Sequence, residues 1–287
     1  MSLPASAAGT IGLGDELTVT KLGFGAMRIT GRGIMGDPPD RAEARRVLRR
    51  AVELGVDFID TADSYGPRVS ERLIAEALSP YPDGLVIATK GGLLRTGVGS
   101  WPPDGRPEHL RRALEGSLRT LGLERIDLYQ LHRPDPKVPY EESVGALADM
   151  KREGKIRSIG VSNVSRDLLR RARAVTGIVS VQNRYNPFDR RSEALIDLCA
   201  HEGIAFLPWA PVGAGEVDDE VIERVARRHG ATSYQIVIAW LLARSPAMLP
   251  IPGTGSVAHL EENVAAAGIR LTADDLELIG GLEERAA

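Results

Sequence analysis

Asp60 and Tyr65 stand at the two ends of one short stretch, FIDTADSYG (58–66), in which an apolar pair runs into a carboxylate and a phenol follows beside Gly66. Two later apolar runs end on chemistry-bearing groups as well: LVIATK closes on Lys90 and IDLYQLH on His132. Each has a bland reading. An Asp at the end of an apolar run serves as a turn or cap residue, a Lys marks where the chain meets solvent, and a His can be a satisfied structural group. Four such accidents at successive junctions are a poor explanation if those junctions share one face of the fold. A phenol titrates near ~10, too high to shuttle protons readily at neutral pH. A neighbouring ammonium is expected to pull it down, and a carboxylate beside the ammonium to keep it charged and in place. Asp60, Lys90 and Tyr65 then form a proton donor with its tuning groups. His132 can hold a substrate oxygen in line with the phenol, an arrangement suited to protonating a carbonyl oxygen as hydride reaches the carbon.

Convergence of these groups requires a particular scaffold. Eight apolar runs can be read as strands: 22–27, 56–62, 85–90, 126–132, 156–163, 179–186, 204–211 and 248–253. They are near-continuous in Val, Ile and Leu, as strands buried on both faces are. Segments of helical period lie between them. In DRAEARRVLRRAVELG, for example, Ala44, Val47, Leu48, Ala51 and Leu54 recur at spacings of three and four. Eight strands alternating with helices predict a (β/α)8 barrel in one domain spanning 1–287. A doubly wound sheet would want a glycine-rich turn opening a helix after its first strand, and GRGIMG (31–36) does not supply one. Three pieces fall outside the eightfold repeat. DELTVT forms an N-terminal hairpin at the barrel bottom, SYQIVIAWLLARSP an extra helix before the eighth strand, and TADDLELIGGLE a C-terminal helix. Residues 1–12 read as a frayed tail. In a barrel the catalytic groups sit at the C-terminal ends of the strands, where Asp60, Lys90 and His132 fall, with Tyr65 on the loop just beyond.

Composition narrows the function classes. A net charge of -3 and 26% charged residues give no field drawing the chain to nucleic acid or an acidic membrane. No apolar stretch is long enough to span a bilayer, and MSLPASAAGT lacks the features of a secretory signal. Cys199 is the only cysteine, so no internal disulfide forms and a cytoplasmic location is expected. The five histidines show no ligand spacing, so no metal is expected.

The segments LGFGAM, FIDTADSYG, IATK, LYQLH, IGVSN, VQNRYN, LPWAP and PIPGTGSVAHLEENV resemble the aldo-keto reductases, in that family's order across residues 22–264. The resemblance implies a (β/α)8 barrel that reduces aldehydes and ketones with NADPH, without metal or flavin, through a tetrad falling on Asp60, Tyr65, Lys90 and His132. It implies that Ser162, Asn163 and Gln182 bind the nicotinamide carboxamide and that Trp209 stacks on the ring; packing in the barrel core is the alternative for Trp209. Gly213 would meet the pyrophosphate, and Gly25, Ala26 and Met27 would line the same cleft. Gly253, Thr254, Gly255 and Ser256 would hold the 2′-phosphate, where helix N-terminal amides suit an anion, and Glu262 and Asn263 would contact adenine.

Two departures bear on the cofactor. The stretch 253–259 lacks the Lys or Arg that many members carry, leaving His259 as its one candidate cation, so discrimination against NADH is expected to be modest. The loop after the seventh strand, VGAGEVDD, is too short to clasp the pyrophosphate. MRITGRGIMGDPPD (27–40) looks most like the pyridoxal-reductase-like branch, which implies an aromatic aldehyde such as pyridoxal. Trp101, on the long loop 91–107, is a candidate pocket wall or a scaffold contact. The resemblance also leaves room for an NADPH-binding regulatory subunit of the channel β-subunit type. Oligomeric state is open.

Overall fold

The fold is a computed structural model describing residues 4–211, 217 and 219–282. An antiparallel hairpin, β1 (Thr10–Leu13) and β2 (Leu17–Thr20), pairs Thr10 with Thr20 and Leu13 with Leu17. Seven parallel strands follow in the spatial order of the chain: β3 (Phe24–Gly25), β4 (Phe58–Asp60), β5 (Val86–Gly91), β6 (Ile126–Leu131), β7 (Ile156–Ser162), β8 (Ser180–Arg184) and β9 (Ala205–Trp209).

The eighth segment closes the ring without becoming a ladder strand. Met248 bridges Phe206, and Leu249 N–H donates to the Phe206 carbonyl at 2.9 Å. On its other side the carbonyls of Pro250 and Pro252 accept from Gly23 N–H at 2.9 Å and Gly25 N–H at 3.4 Å. Prolines at 250 and 252 have no N–H to return, so the pairing runs one way. The structure is therefore the expected barrel, with its eighth stave fastened to the first by its carbonyls. This seam is tight: a Cβ built on Gly253 would stand 2.2 Å from the Gly25 carbonyl oxygen, and one on Gly25 would stand 2.6 Å from that of Ile251.

Ten α-helices are present among the described residues: α1 (Arg41–Glu53), α2 (Val69–Leu78), α3 (Pro107–Leu121), α4 (Tyr140–Arg152), α5 (Arg166–Val175), α6 (Glu193–His201), α7 (Glu220–His229), α8 (Ser233–Arg244), α9 (Val257–Ala265) and α10 (Ala273–Gly280). Their ends follow local chemistry. Asp40 caps α1 by accepting from Glu43 N–H, Pro107 opens α3, and capping boxes start α8 at Thr232 and α10 at Thr272. The helix α2 is not evident in the sequence pattern. It starts after Arg68 in a left-handed conformation with no side-chain cap, and buried Ser70 and Glu71 interrupt its apolar stripe.

Residues 4–12 correct the expectation of a frayed tail. Ala5 is fully buried and its N–H donates to the Leu54 carbonyl at 2.8 Å, and β1 begins at Thr10. Leu13, Leu17 and Val19 of the hairpin pack with Phe58, Val86, Leu128, Leu207 and Leu249 inside the barrel. Each such side chain taken from water stabilises by about 1.5–3 kcal/mol, which is why a polar hairpin tip can plug the barrel bottom. The remaining large core lies between strands and helices. No helix among the described residues is long and apolar enough to cross a membrane.

Candidate active site

Three adjacent strand ends bring the four singled-out residues together. Asp60 ends β4, Lys90 is the next-to-last residue of β5, and His132 follows β6 directly. Lys90 is fully buried, and its Nζ donates to Asp60 Oδ2 at 2.6 Å, to the Thr61 carbonyl at 2.8 Å and to the Tyr65 hydroxyl at 3.3 Å. All three ammonium protons are used, as burial of a charge demands. Asp60 is equally committed. Its other oxygen, Oδ1, accepts from Gln130 Nε2 at 3.0 Å and Gln182 Nε2 at 2.9 Å. Gln130 was missed in the sequence, where it sits inside the apolar run LYQL. An amide in the middle of a buried strand was the signal.

Electrostatics corrects one expectation. Burial pushes the Tyr65 phenol above its ordinary value; Lys90 opposes this, Asp60 adds to it, and the outcome is upward. The phenol is therefore protonated at neutral pH and is placed as a donor. Burial also works against the charge on Lys90, but Asp60 and Tyr65 outweigh it and hold the ammonium above its usual range. His132 is driven well down by burial, with Lys90 and Arg133 adding to the effect, so its ring is neutral. Its Nδ1 lies 3.5 Å from Ser64 Oγ, and its ring stands edge-on to Tyr65 at 5.8 Å between centroids. The tight turn that aims Tyr65 needs Gly66, which has φ +92 and no room for a Cβ against Val69.

Asp63, in the same stretch, was also not singled out. It is buried with Oδ1 unpartnered, and burial, helped by Glu71, pushes its carboxyl up to about 8. An unfolded Asp titrates near ~4. Between those two values the folded chain holds a proton that the unfolded chain has lost, so this group makes stability fall as pH rises through that window. Asp63→Asn removes the effect. Calorimetry is expected to show the variant's midpoint gaining several degrees on the wild type between pH ~5 and ~9. A constant difference across that range would show that Asp63 is ionised throughout.

The phenol opens into a cavity of ≈ 530 Å³ at the strand ends, lined also by His132, Trp101, Leu93, Ile34 and Met27. On the opposite wall, Ser162 Oγ donates to the Gln182 carbonyl at 2.7 Å. Asn163, in a left-handed conformation with φ 59, donates from Nδ2 to the His132 carbonyl and to Ser162 Oγ, both at 3.0 Å. Its Oδ1 accepts from the Trp209 indole N–H at 3.1 Å. Trp209 is half-buried and faces the cavity with Gly25 and Gly253, so it is not a core residue. Ala26, expected to line the cleft, is fully buried and is not among the residues lining the cavity.

Gly253 is pressed against Gly25, leaving no space there for a cationic side chain. Ser256 caps α9, accepting from His259 N–H, and Ser256 N–H donates to Thr254 Oγ1 at 3.2 Å. The anion at this helix start is the chain's own Glu43, whose Oε1 accepts from Val257 N–H at 3.0 Å. That bond, with Arg46 beside it, holds the Glu43 carboxyl below its usual range. A cation not foreseen at the mouth is Arg28: it lines the cavity, and its carbonyl would lie 3.3 Å from a Cβ on Gly255. His259 and Glu262 are exposed and Asn263 half-buried on α9, outside the cavity lining. Gly213 and most of the loop expected to be too short for a clasp lie outside the described residues.

The aldo/keto reductase family model matches residues 21–284. The chain belongs to the aldo/keto reductase family. It is thus an oxidoreductase. An uncharacterized oxidoreductase of Schizosaccharomyces pombe is 48% identical over 275 residues, covering 95% of this chain and 89% of that protein. Pyridoxine 4-dehydrogenase of Escherichia coli is 44% identical over 280 residues, covering 95% and 98%. Among solved structures, an aldo/keto reductase from Klebsiella pneumoniae in complex with NADP and acetate superposes with a TM-score of 0.80 at 28% identity, covering 94% of this chain and 93% of that one.

Proposed function

We propose that this reductase transfers hydride reversibly between NADPH and the carbonyl carbon of an aromatic aldehyde of the pyridoxal type, with Tyr65 delivering the proton to oxygen. The observation that carries the reading is the buried triad. A phenol held protonated lies 3.3 Å from a fully paired ammonium, at the floor of a cavity it shares with a neutral histidine.

The residues present fit the cofactor. Bonds within the wall leave Gln182 Oε1, a lone pair on Ser162 Oγ and one on Asn163 Oδ1 turned to acceptor duty, which matches the two N–H donors of a carboxamide. Trp209, anchored by Asn163, offers a flat face. The bare backbones of Gly25 and Gly253 allow close approach, and Arg28 supplies a cation for phosphate. NADPH, when bound, supplies the hydride. Tyr65 gives up its hydroxyl proton to the carbonyl oxygen, and Lys90 steadies the phenolate left behind. The neutral His132 ring donates a hydrogen bond to the same oxygen and fixes the carbonyl before reaction. Asp60 keeps Lys90 charged throughout. Glu43 at the start of α9 works against a 2′-phosphate while Arg28 favours one. NADPH is therefore expected to be preferred to NADH, but modestly.

The substrate reading rests on the pyridoxine 4-dehydrogenase relative and on the apolar wall of Trp101, Leu93 and Ile34. Alcohol dehydrogenation and aldehyde reduction are one reaction run in two directions. A cytoplasmic location accords with the single, buried Cys199. The test is NADPH oxidation followed by absorbance, with pyridoxal, a second aromatic aldehyde, an aliphatic aldehyde and a ketone. Pyridoxal is expected to give the highest kcat/KM, and pyridoxine with NADP+ the reverse reaction. No carbonyl-dependent oxidation with any of them would overturn the reading.

A further inference from the structure

Two loops wall the substrate side of the cavity, and one side chain joins them. The first, 31–36, is tied to the turn that carries Tyr65: Gly36 N–H donates to the Gly66 carbonyl at 2.9 Å and Met35 bridges Gly66. The second, 91–105, folds back on itself, with Leu94 N–H donating to the Pro102 carbonyl at 2.9 Å and Leu93 bridging Pro103. It presents Trp101 edge-on to Tyr65 at 6.4 Å between centroids. Arg95 reaches from the second loop to the first. Its Nη2 donates to the Gly33 carbonyl at 2.8 Å and the Ile34 carbonyl at 3.2 Å, and its guanidinium lies over the Trp101 ring at 3.5 Å.

The cost of this arrangement is informative. Nε and Nη1 of Arg95 are sealed from solvent with no hydrogen-bond partner, and no carboxylate among the described residues pairs with the group. Desolvating N–H donors without acceptors is unfavourable, and a cation–π contact returns about 0.5–2 kcal/mol. An exposed arginine would be cheaper for loop stability alone. The sealed nitrogens also cannot reach a substrate anion. What the arrangement secures is the position of Trp101: one face is covered by the guanidinium, and the ring stands against the phenol.

We propose that Arg95 is a positioning residue for specificity: it fixes Trp101 and the Ile34 turn as a preformed wall that selects flat aromatic carbonyls over aliphatic ones. The proposal rests on the reductase reading above. If the wall is set in advance, a flat ring gains contact with Trp101 without first ordering it. An aliphatic aldehyde makes little of that contact and has little to lose.

The experiment compares wild type, Arg95→Met and Trp101→Ala with benzaldehyde and propanal. An aromatic pair is worth about 0.5–1.5 kcal/mol, so KM for benzaldehyde is expected to rise about two- to thirteenfold more than KM for propanal in both variants. The double variant is expected to be no worse than Trp101→Ala alone, because Arg95 acts through Trp101. A second readout needs no turnover. With 5-fluorotryptophan incorporated, the fluorine resonance of Trp101 is expected to shift in Arg95→Met while those of Trp209 and Trp240 stay in place. An unmoved Trp101 resonance, or equal KM changes for both aldehydes, overturns the proposal. Should Arg95→Met fail to fold, Trp101→Ala decides: unchanged discrimination between the aldehydes overturns it. If the wild type reduces neither these aldehydes nor any carbonyl of the panel above, the reductase reading fails on its own account, and the fluorine spectra still judge Arg95.

Discussion

Tyr65→Phe is expected to lower carbonyl reduction by about 10²–10⁴ while leaving NADPH affinity nearly unchanged. The hydroxyl is the one acidic proton placed against both Lys90 and the cavity. Removing it takes away the proton that must reach the carbonyl oxygen, yet costs little packing, since the ring and its edge contacts with Trp101 and His132 remain. The loss belongs in kcat rather than KM, because the proton moves only in the transition state. Steady-state kinetics with pyridoxal, together with a tryptophan-quenching titration of NADPH, separates the two quantities. A Phe variant with close to full activity would remove Tyr65 from the proton path.

Asp60→Asn is expected to damage both turnover and stability. Three donors point at the two oxygens of Asp60: Lys90 on one, Gln130 and Gln182 on the other. An Asn amide offers one acceptor and one donor, so in either orientation a donor faces a donor. Lys90 also loses the charge that holds its ammonium up against burial. Breaking a buried pair by removing one partner costs about 3–5 kcal/mol. A drop of that size in a urea or thermal unfolding series, with activity lost in parallel, is the expected result. An Asn variant as stable and active as the wild type would mean that Lys90 needs no counter-charge.

The tetrad was legible because a barrel gathers strand ends, so Asp60, Lys90 and His132 could be placed by counting apolar runs. Gln130 and Asp63 were not. Each is a polar residue inside a stretch already assigned a purpose, and its partners come from other strands or helices. One contact at the phosphate end is non-local. Glu43, on α1, reaches the start of α9 across 214 positions of sequence, and no local pattern reports that contact. Gly253 looked like a missing cation when it is a steric requirement of the seam. Arg28 was not singled out, because nothing in MRITG marks which side chains turn inward. The helix α2 escaped notice because Ser70 and Glu71, buried polar groups, blur its period. The short N-terminal turn around Ala5 is apolar but too brief to show a period at all.

Pro250 and Pro252 have a consequence for the chain before it is fully folded. Until the last stave docks, the sheet from β3 to β9 has two open edges, and an open edge is a template for pairing with another molecule. The segment that seals both edges is itself poor at such pairing, since alternate residues lack the donor that a foreign strand would need. Its native partner is suited to that deficit: Gly23 and Gly25 supply the N–H groups to its carbonyls, and Gly25 lets the backbones approach without side chains between them. The closure that completes the cavity floor is thus biased toward the chain's own first strand and against aggregation with a neighbour's.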